Sequence, residues 1–224
     1  MNNKILSGFV ALLIVVVIAG GLWFFSQAEK PVVPEVDGIV LHPARQIKDF
    51  AFKDHNNKEF SAASLLGSWH LMFFGYTHCP DVCSPTLNTL NTAYKSLSDS
   101  DREMISVVFV SVDPRRDTAE ALGRYMSHFN DDFIGVMTTD ENLKYFTQQL
   151  GVAYARAGAG ETNAEKNGQS SGDDNYLVDH TARILVFNPR AELQAYLRQS
   201  GSAKDLLADI RKVQHFYNDI RRDE

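Results

Sequence analysis

Residues 69–83 read WHLMFFGYTHCPDVC, and this stretch decides the fold that we predict. Its first eight residues form a nearly continuous apolar run that ends at a Gly-Tyr pair, a pattern typical of a strand buried on both faces. Pro85 suits a first helical turn, and apolar residues then recur at helical spacing. A second buried strand is predicted at 105–112. Strand, helix and strand of these lengths indicate a right-handed βαβ unit.

The chain after this unit predicts further elements of one α/β domain. A helix that Asp117 or Thr118 could cap is followed by a short strand at 133–137, then by a helix that Asp140 could cap and Gly151 could end.

Both ends of the domain add to this pattern. Residues 184–197 predict a β-hairpin, and residues 202–205 resemble a capping box that opens a final helix. Residues 49–60 predict an N-terminal hairpin. We therefore predict an α/β thioredoxin-like fold with an N-terminal hairpin and a helix-strand insertion, preceded by one transmembrane helix.

The N-terminus carries an uncharged apolar stretch at residues 5–25, long enough for a bilayer-spanning helix. Lys4 precedes it and favours a cytoplasmic N-terminus. A cleaved signal peptide is the alternative, since residues 26–28 satisfy the small-x-small cleavage pattern, but such apolar regions are usually about 7 to 15 residues long.

The predicted order along the chain follows from that stretch. It runs as residues 1–4 at the cytoplasmic N-terminus, 5–25 as the anchor, 26–43 as a proline-containing linker and 44–220 as the thioredoxin-like domain. We expect a single-pass protein of the bacterial inner membrane with its soluble domain in the periplasm.

Composition excludes several classes of function. The chain has 22 Lys and Arg against 28 Asp and Glu, a formal net charge of -6, and no basic patch with interleaved aromatics, so we predict no nucleic-acid partner. With only two cysteines, a disulfide-dense scaffold and a four-cysteine zinc site are both excluded.

Cys79 and Cys83 lie between the buried strand and the helix start, with three residues between them. This placement predicts partial exposure beside a helix dipole, which favours the thiolate form. The loop is wider than in ordinary dithiol oxidoreductases and leaves room for a metal ion. Two thiolates with one imidazole favour Cu(I). An inert disulfide is the alternative, although so short a loop would constrain little chain entropy.

His180 and Asp113 are the other candidates. His180 lies where a polar, glycine-rich loop at 156–175 meets a predicted core strand, a junction that can approach the cysteines in this fold. From the residues alone, metal ligation and an ordinary polar role explain His180 equally well. Asp113 follows the second strand, at the edge where sites gather in open α/β sheets, and is either a turn residue or a carboxylate close to the cysteines. We interpret the other six histidines as surface or half-buried polar residues.

Three separated motifs resemble the Sco/SenC family of copper proteins that assemble cytochrome c oxidase. They are GYTHCPDVC at 75–83, SVDPRRDT at 111–118 and YLVDHT at 176–181. The resemblance implies a thioredoxin fold and one copper, preferably Cu(I) with Cu(II) as the alternative, bound by Cys79, Cys83 and His180, with Asp113 near that site.

The sequence departs from the family pattern at two places. Ser84 stands where the family commonly has proline, and residues 136–139 read VMTT where a glycine-rich segment is expected. Neither departure removes a ligand.

The resemblance implies a copper-binding metallochaperone that helps assemble the copper site of cytochrome c oxidase. Its partners would be oxidase subunit II or another copper-site apo-protein, together with an upstream copper donor. The alternative is a thiol-disulfide oxidoreductase that keeps the oxidase cysteines reduced, with Cys79 and Cys83 as its redox pair. A zinc role is disfavoured because only three suitable ligands converge, and nothing in the sequence identifies the residues that a peroxidase needs.

Overall fold

The computed structural model describes residues 12–21, 31–157, 177–180, 182–199 and 202–222. The chain divides into two units, Met1–Val32 and Val33–Glu224. In the first unit, residues 12–21 are helical and the rest of the predicted anchor lies outside the described residues. Within the described part of the chain, we find no helix that is both long and apolar enough to cross a membrane.

Besides one short 3₁₀ helix at Ala62–Leu65, the described residues of the second unit form ten strands and five α-helices. In chain order these are β1 Gly38–Arg45, β2 Ala51–Asp54, β3 Glu59–Ser61, β4 Trp69–Gly75, α1 Cys83–Lys95, α2 Asp99–Met104, β5 Ile105–Ser111, α3 Ala119–Phe129, β6 Ile134–Met137, α4 Asp140–Leu150, β7 Tyr154–Ala157, β8 Leu177–His180, β9 Arg183–Phe187, β10 Leu193–Arg198 and α5 Ala203–Arg222. Eight strands form one sheet in the order β1-β10-β9-β4-β5-β6-β2-β3, and β7 pairs with β8.

The predicted βαβ unit is confirmed as the centre of the sheet. β4 runs parallel to β5 from Trp69, opposite Ile105, to Gly75, opposite Ser111, and α1 followed by the short α2 connects the two strands. Every residue of β4 is buried because helices cover both faces of the sheet. Leu71 packs in the core on the side of α1 and α5, whereas Met72 packs in the core on the side of α4.

The predicted hairpins and helices are also present, with one different cap. Thr118 caps α3 by accepting a hydrogen bond from the Ala121 N–H, so it fills the role that Asp117 also offered. At α4 the cap is Thr139 rather than Asp140, and Gly151 ends this helix with a φ of 63°. Architecture and order therefore match a thioredoxin-like arrangement with a helix-strand insertion.

Strand β1 lies partly within the predicted linker at residues 26–43. It pairs antiparallel with β10, where Gly38 lies opposite Leu197. Just before it, the Asp37 N–H donates a 2.9 Å hydrogen bond to the Asp209 carboxylate of α5. The prolines and mixed polarity of this segment hid a strand that is only half buried and pairs with residues of β10, far away in sequence, such as Leu197 opposite Gly38.

Strand β8 differs from the predicted core strand. Its partner is β7, in a two-stranded antiparallel ribbon with Tyr154 opposite His180, and not a strand of the main sheet. We call β7 and β8 the ribbon. Residues 158–175 of the polar loop that we predicted at 156–175 lie outside the described residues.

Candidate metal centre

The two cysteines lie at the carboxyl end of β4, where the chain turns into α1. The Cys79 N–H donates to the Tyr76 carbonyl at 3.2 Å, which closes the turn after β4. Cys79 is half-buried, whereas Cys83, the first residue of α1, is fully buried. The structure therefore presents one sulfur towards the surface and keeps the other inside.

Both cysteines are reduced, and their side chains share a hydrogen bond. That hydrogen bond and burial raise the pKa of the Cys83 thiol. Our expectation of a thiolate is therefore wrong for Cys83, because its sulfur is buried under the start of the helix instead of partly exposed beside it. A soft metal can replace the shared proton, whereas a disulfide between the two sulfurs forms only when both thiol protons and two electrons leave to an oxidant such as a partner's disulfide.

Gly75 allows the Cys83 sulfur to lie against the sheet. A Cβ atom at this position would lie 2.7 Å from Cys83 Sγ and 2.7 Å from Phe109 Cε2. Such contacts are much shorter than van der Waals distances, so only glycine fits without a shift of the sulfur or the ring. The last residue of β4 thus fixes the depth at which Cys83 is buried.

Asp117 supports the segment at residues 76–83, which carries both cysteines and which we call the cysteine turn. Its carboxylate accepts hydrogen bonds from the Thr77 hydroxyl and the Ser111 hydroxyl, each at 2.6 Å, and from the Thr77 N–H. Burial raises the pKa of this carboxyl, although the hydrogen bonds from Ser111 and Thr77 oppose that shift. We favoured a helix cap for Asp117. The structure instead shows its carboxylate bound to Thr77, which lies two residues before Cys79. The sequence signal for this role was a pair of hydroxyls, one on Thr77 just after β4 and one on Ser111 at the end of β5.

Asp113, the predicted neighbour of the metal, is fully buried after β5. Its carboxylate accepts a hydrogen bond from Arg116 Nε. The Arg116 guanidinium carbon in turn lies 5.6 Å from the centre of the Tyr76 ring. The described contacts thus connect Asp113 to the site through Arg116 and Tyr76.

His180 ends β8, and its side chain lies outside the described residues. The backbone nevertheless brings this strand to the cysteine turn. The Val178 N–H donates a 3.2 Å hydrogen bond to the Tyr76 hydroxyl, and Val178 is buried in the same core as Tyr76. Cys79 and His180 are therefore three and two residues away, respectively, from a pair of residues in direct contact.

The remaining histidines have other surroundings. His78 is exposed, with Nδ1 3.0 Å from the Thr77 hydroxyl oxygen. His55 Nδ1 accepts the Gly135 N–H at 3.1 Å, which joins the N-terminal hairpin to β6. His70 is buried in β4, and burial lowers its pKa to about 4.

The segment that departs from the family pattern lines a groove beside the site. This groove of about 830 Å³ includes Met137, Thr138 and Thr139 in its walls, with Asp117 at its inner side. The departure therefore falls on a surface next to the cysteine turn and not on a candidate ligand.

The donor set of the described residues fits a soft metal in part. Two adjacent thiols, one of them accessible, suit Cu(I) and are too few for a closed zinc site. The described side chains contain no group of three or more His, Cys, Asp and Glu residues that could hold a metal ion. Among the described contacts, the hydrogen bond from the Val178 N–H to Tyr76 brings the backbone of β8 close to the cysteines.

Comparisons with known proteins agree with this arrangement. The model of the family described as SCO1/SenC matches residues 41–215. The mitochondrial SCO2 homolog of Homo sapiens is 30% identical over 196 residues, which cover 86% of this chain and 70% of that protein.

Solved structures are similar as well. The solution structure of apo Sco1 from Thermus thermophilus matches with a TM-score of 0.67 and 31% identity, over 79% of this chain and 96% of that one. The structure of Bradyrhizobium japonicum ScoI with copper bound matches with a TM-score of 0.62 and 26% identity, over 74% and 98% of the two chains.

Proposed function

The chain belongs to the SCO1/SenC family, and on this basis we propose that it is a copper-binding metallochaperone that helps assemble the copper site of cytochrome c oxidase. One observation carries the proposal: the two cysteines of the chain lie side by side, reduced, at the surface end of β4. Copper is present in the related ScoI structure, and the family is linked to oxidase assembly.

Cys79, Cys83 and His180 are the proposed copper ligands. Two sulfurs and an imidazole form a three-ligand set that suits Cu(I). Because Cys83 is buried and Cys79 is accessible, a recipient's ligand would reach the copper from the side of Cys79. The ribbon lies outside the main sheet, so His180 could leave the metal without any change in the sheet. Copper is thus cargo that the chain holds and passes on.

The same pair of thiols supports a second candidate, reduction of a disulfide in the recipient. Cys79 would attack the partner's disulfide and form a mixed disulfide, which releases one partner thiol. Cys83 would then attack Cys79, so that the partner leaves fully reduced while the chain keeps both oxidised sulfurs in a new disulfide. Two electrons and two protons pass from the chain to the partner. The side-by-side thiols favour this reaction, and it does not require His180.

A deletion strain distinguishes the two candidates. For copper delivery, we expect low oxidase activity that recovers when copper is added to the medium and when the wild-type gene is returned. A His180→Ala gene should restore activity poorly at low copper. Full restoration by His180→Ala, with no response to added copper, would favour thiol reduction and contradict delivery.

We also propose that residues 5–25 anchor the protein in the bacterial inner membrane with the domain in the periplasm. The apolar run supports this, as does the helical conformation of residues 12–21, whose apolar side chains are exposed from Leu12 to Ile18. Membrane fractions washed with alkaline carbonate should retain the chain, and protease added to spheroplasts should remove the domain. Release by carbonate would contradict the anchor.

A further inference from the structure

The Tyr76 hydroxyl lies where the two parts of the candidate site meet. Tyr76 directly follows β4, is 2% exposed and accepts the Val178 N–H at 3.2 Å. Cys79 lies three residues after Tyr76, and His180 lies two residues after Val178. This hydrogen bond therefore joins two chain segments that each carry a candidate ligand within three residues of it.

The Val178 N–H needs this partner. In the ribbon, Val178 lies opposite Arg156 of β7, and its N–H donates to the side chain of Tyr76, which lies outside the ribbon. Val178 is 4% exposed, so water cannot easily replace the hydroxyl. A buried amide without an acceptor is costly, and the hydroxyl therefore holds β8 in place.

The Tyr76 ring is itself fixed from the side of β5. Arg116 lies over the ring, and its Nε donates to Asp113, which is fully buried after β5. The ring also packs in the core that contains Val178. The hydroxyl thus has a defined position relative to the main sheet, and β8 takes its position from the hydroxyl.

We propose that Tyr76 is a positioning residue: its hydroxyl sets the place of β8, and thereby the place at which His180 meets a metal held by Cys79 and Cys83. The effect of Tyr76 on copper binding rests on the proposed function, whereas the hydrogen bond between Tyr76 and Val178 is present in the chain without metal. Asp113 and Arg116 act through the same ring.

The first test needs no metal. In the metal-free full-length chain, Tyr76→Phe should accelerate amide hydrogen exchange at Val178 by about five- to tenfold, while the Val108 amide in β5 keeps its rate. Tyr94→Phe is a matched control, because it removes another buried tyrosine hydroxyl, on α1, far along the chain from the ribbon. Unchanged exchange at Val178 in Tyr76→Phe would overturn the inference. Equal acceleration at Val108 would also overturn it, because the hydroxyl would then support the whole fold.

The second test is a double-mutant cycle on Cu(I) affinity. Tyr76→Phe alone should weaken binding by about three- to tenfold, and it should cause no further loss in a His180→Ala background. An equal loss in both backgrounds would overturn the inference, since Tyr76 would then act on the cysteines. If the wild-type chain binds no copper, the proposed function fails, and the exchange experiment still decides whether Tyr76 holds β8.

Discussion

The cysteine turn and the ribbon contribute to one candidate site but are built in different ways. The cysteine turn extends from β4, whose residues are all buried, and Asp117 and Gly75 fix it from two sides. The ribbon lies outside the eight-stranded sheet, and among its described side chains Val178 is buried in the core and Tyr154 packs against it, while the Val178 N–H donates to Tyr76. The difference indicates a division of labour: the cysteines provide a fixed place for copper, and the histidine is attached through a smaller and more separable contact.

The largest effect should come from the fixed part. Cys83→Ser should weaken Cu(I) binding by about a thousandfold or more, equivalent to about 4 kcal/mol, because one of two sulfur ligands is lost. Competition with a chromophoric Cu(I) chelator measures this change. Ser84→Ala is the matched control, since it alters the next residue and keeps both sulfurs. Equal Cu(I) affinities for Cys83→Ser and Ser84→Ala would show that the buried sulfur of Cys83 is not a copper ligand.

Gly75→Ala should show how tightly the turn is packed. The added methyl would lie 2.7 Å from Cys83 Sγ and from a Phe109 ring carbon, so we expect a loss of about 2–3 kcal/mol in the free energy of unfolding. Urea titration measures it. Gly123→Ala in α3 is the control, because its nearest neighbour is 3.4 Å away and alanine should stabilise a helix by about 0.5–1 kcal/mol. A neutral Gly75→Ala would show that the turn is more adaptable than its contacts indicate.

Asp117→Ala should remove the support under the turn. Loss of the acceptor for Thr77 and Ser111 should cost about 1–2 kcal/mol in urea unfolding at pH 7. It should also accelerate alkylation of Cys79, because the turn would open more often. Unchanged stability and unchanged alkylation would show that Asp117 does not hold the turn.

The pH dependence of Asp117 has a defined sign. Burial raises its pKa above the ordinary value of 3.8, so the folded chain holds this proton more tightly than the unfolded chain does. The extra stability that comes from holding this proton is therefore complete below pH 3.8 and is lost as the pH rises through the raised folded pKa, whereas the hydrogen bonds that the carboxylate accepts from Thr77 and Ser111 remain at pH 7. Asp117→Asn should remove this part of the slope in urea titrations at successive pH values. The same slope in both proteins would assign it to another group.

The smallest effect on global stability should come from the ribbon. Val178→Ala should weaken the packing of β8 by about 1 kcal/mol, but should leave the global free energy of unfolding nearly unchanged, because the ribbon can detach before the sheet unfolds. Cu(I) affinity should fall a few-fold through His180. A global loss as large as that of Gly75→Ala would show that the ribbon belongs to the same cooperative unit as the cysteine turn.

The contrast also explains how much of the structure could be predicted from the sequence. β4, α1 and β5 follow from local patterns, since each buried run and each helical repeat lies within about 15 residues. The place of the ribbon could not be predicted in this way, because it depends on a contact between Tyr76 and Val178, 102 residues apart. Strand β1 was hidden for the same reason.

The aspartates after β5 show a similar limit. The spacing placed Asp113 and Asp117 at the correct edge of the sheet, but it could not determine which carboxylate turns towards the cysteines. The structure directs Asp113 to Arg116 and Asp117 to Thr77. The choice depends on two hydroxyls, one on Thr77 in the turn after β4 and one on Ser111 at the end of β5.

The most direct test of the central claim is X-ray absorption at the copper edge, on the full chain loaded with one equivalent of Cu(I). The account predicts two sulfur ligands and one imidazole nitrogen in the wild type, with loss of the nitrogen alone in His180→Ala. One sulfur ligand or none in the wild type, or the same nitrogen in His180→Ala, would contradict the proposed site.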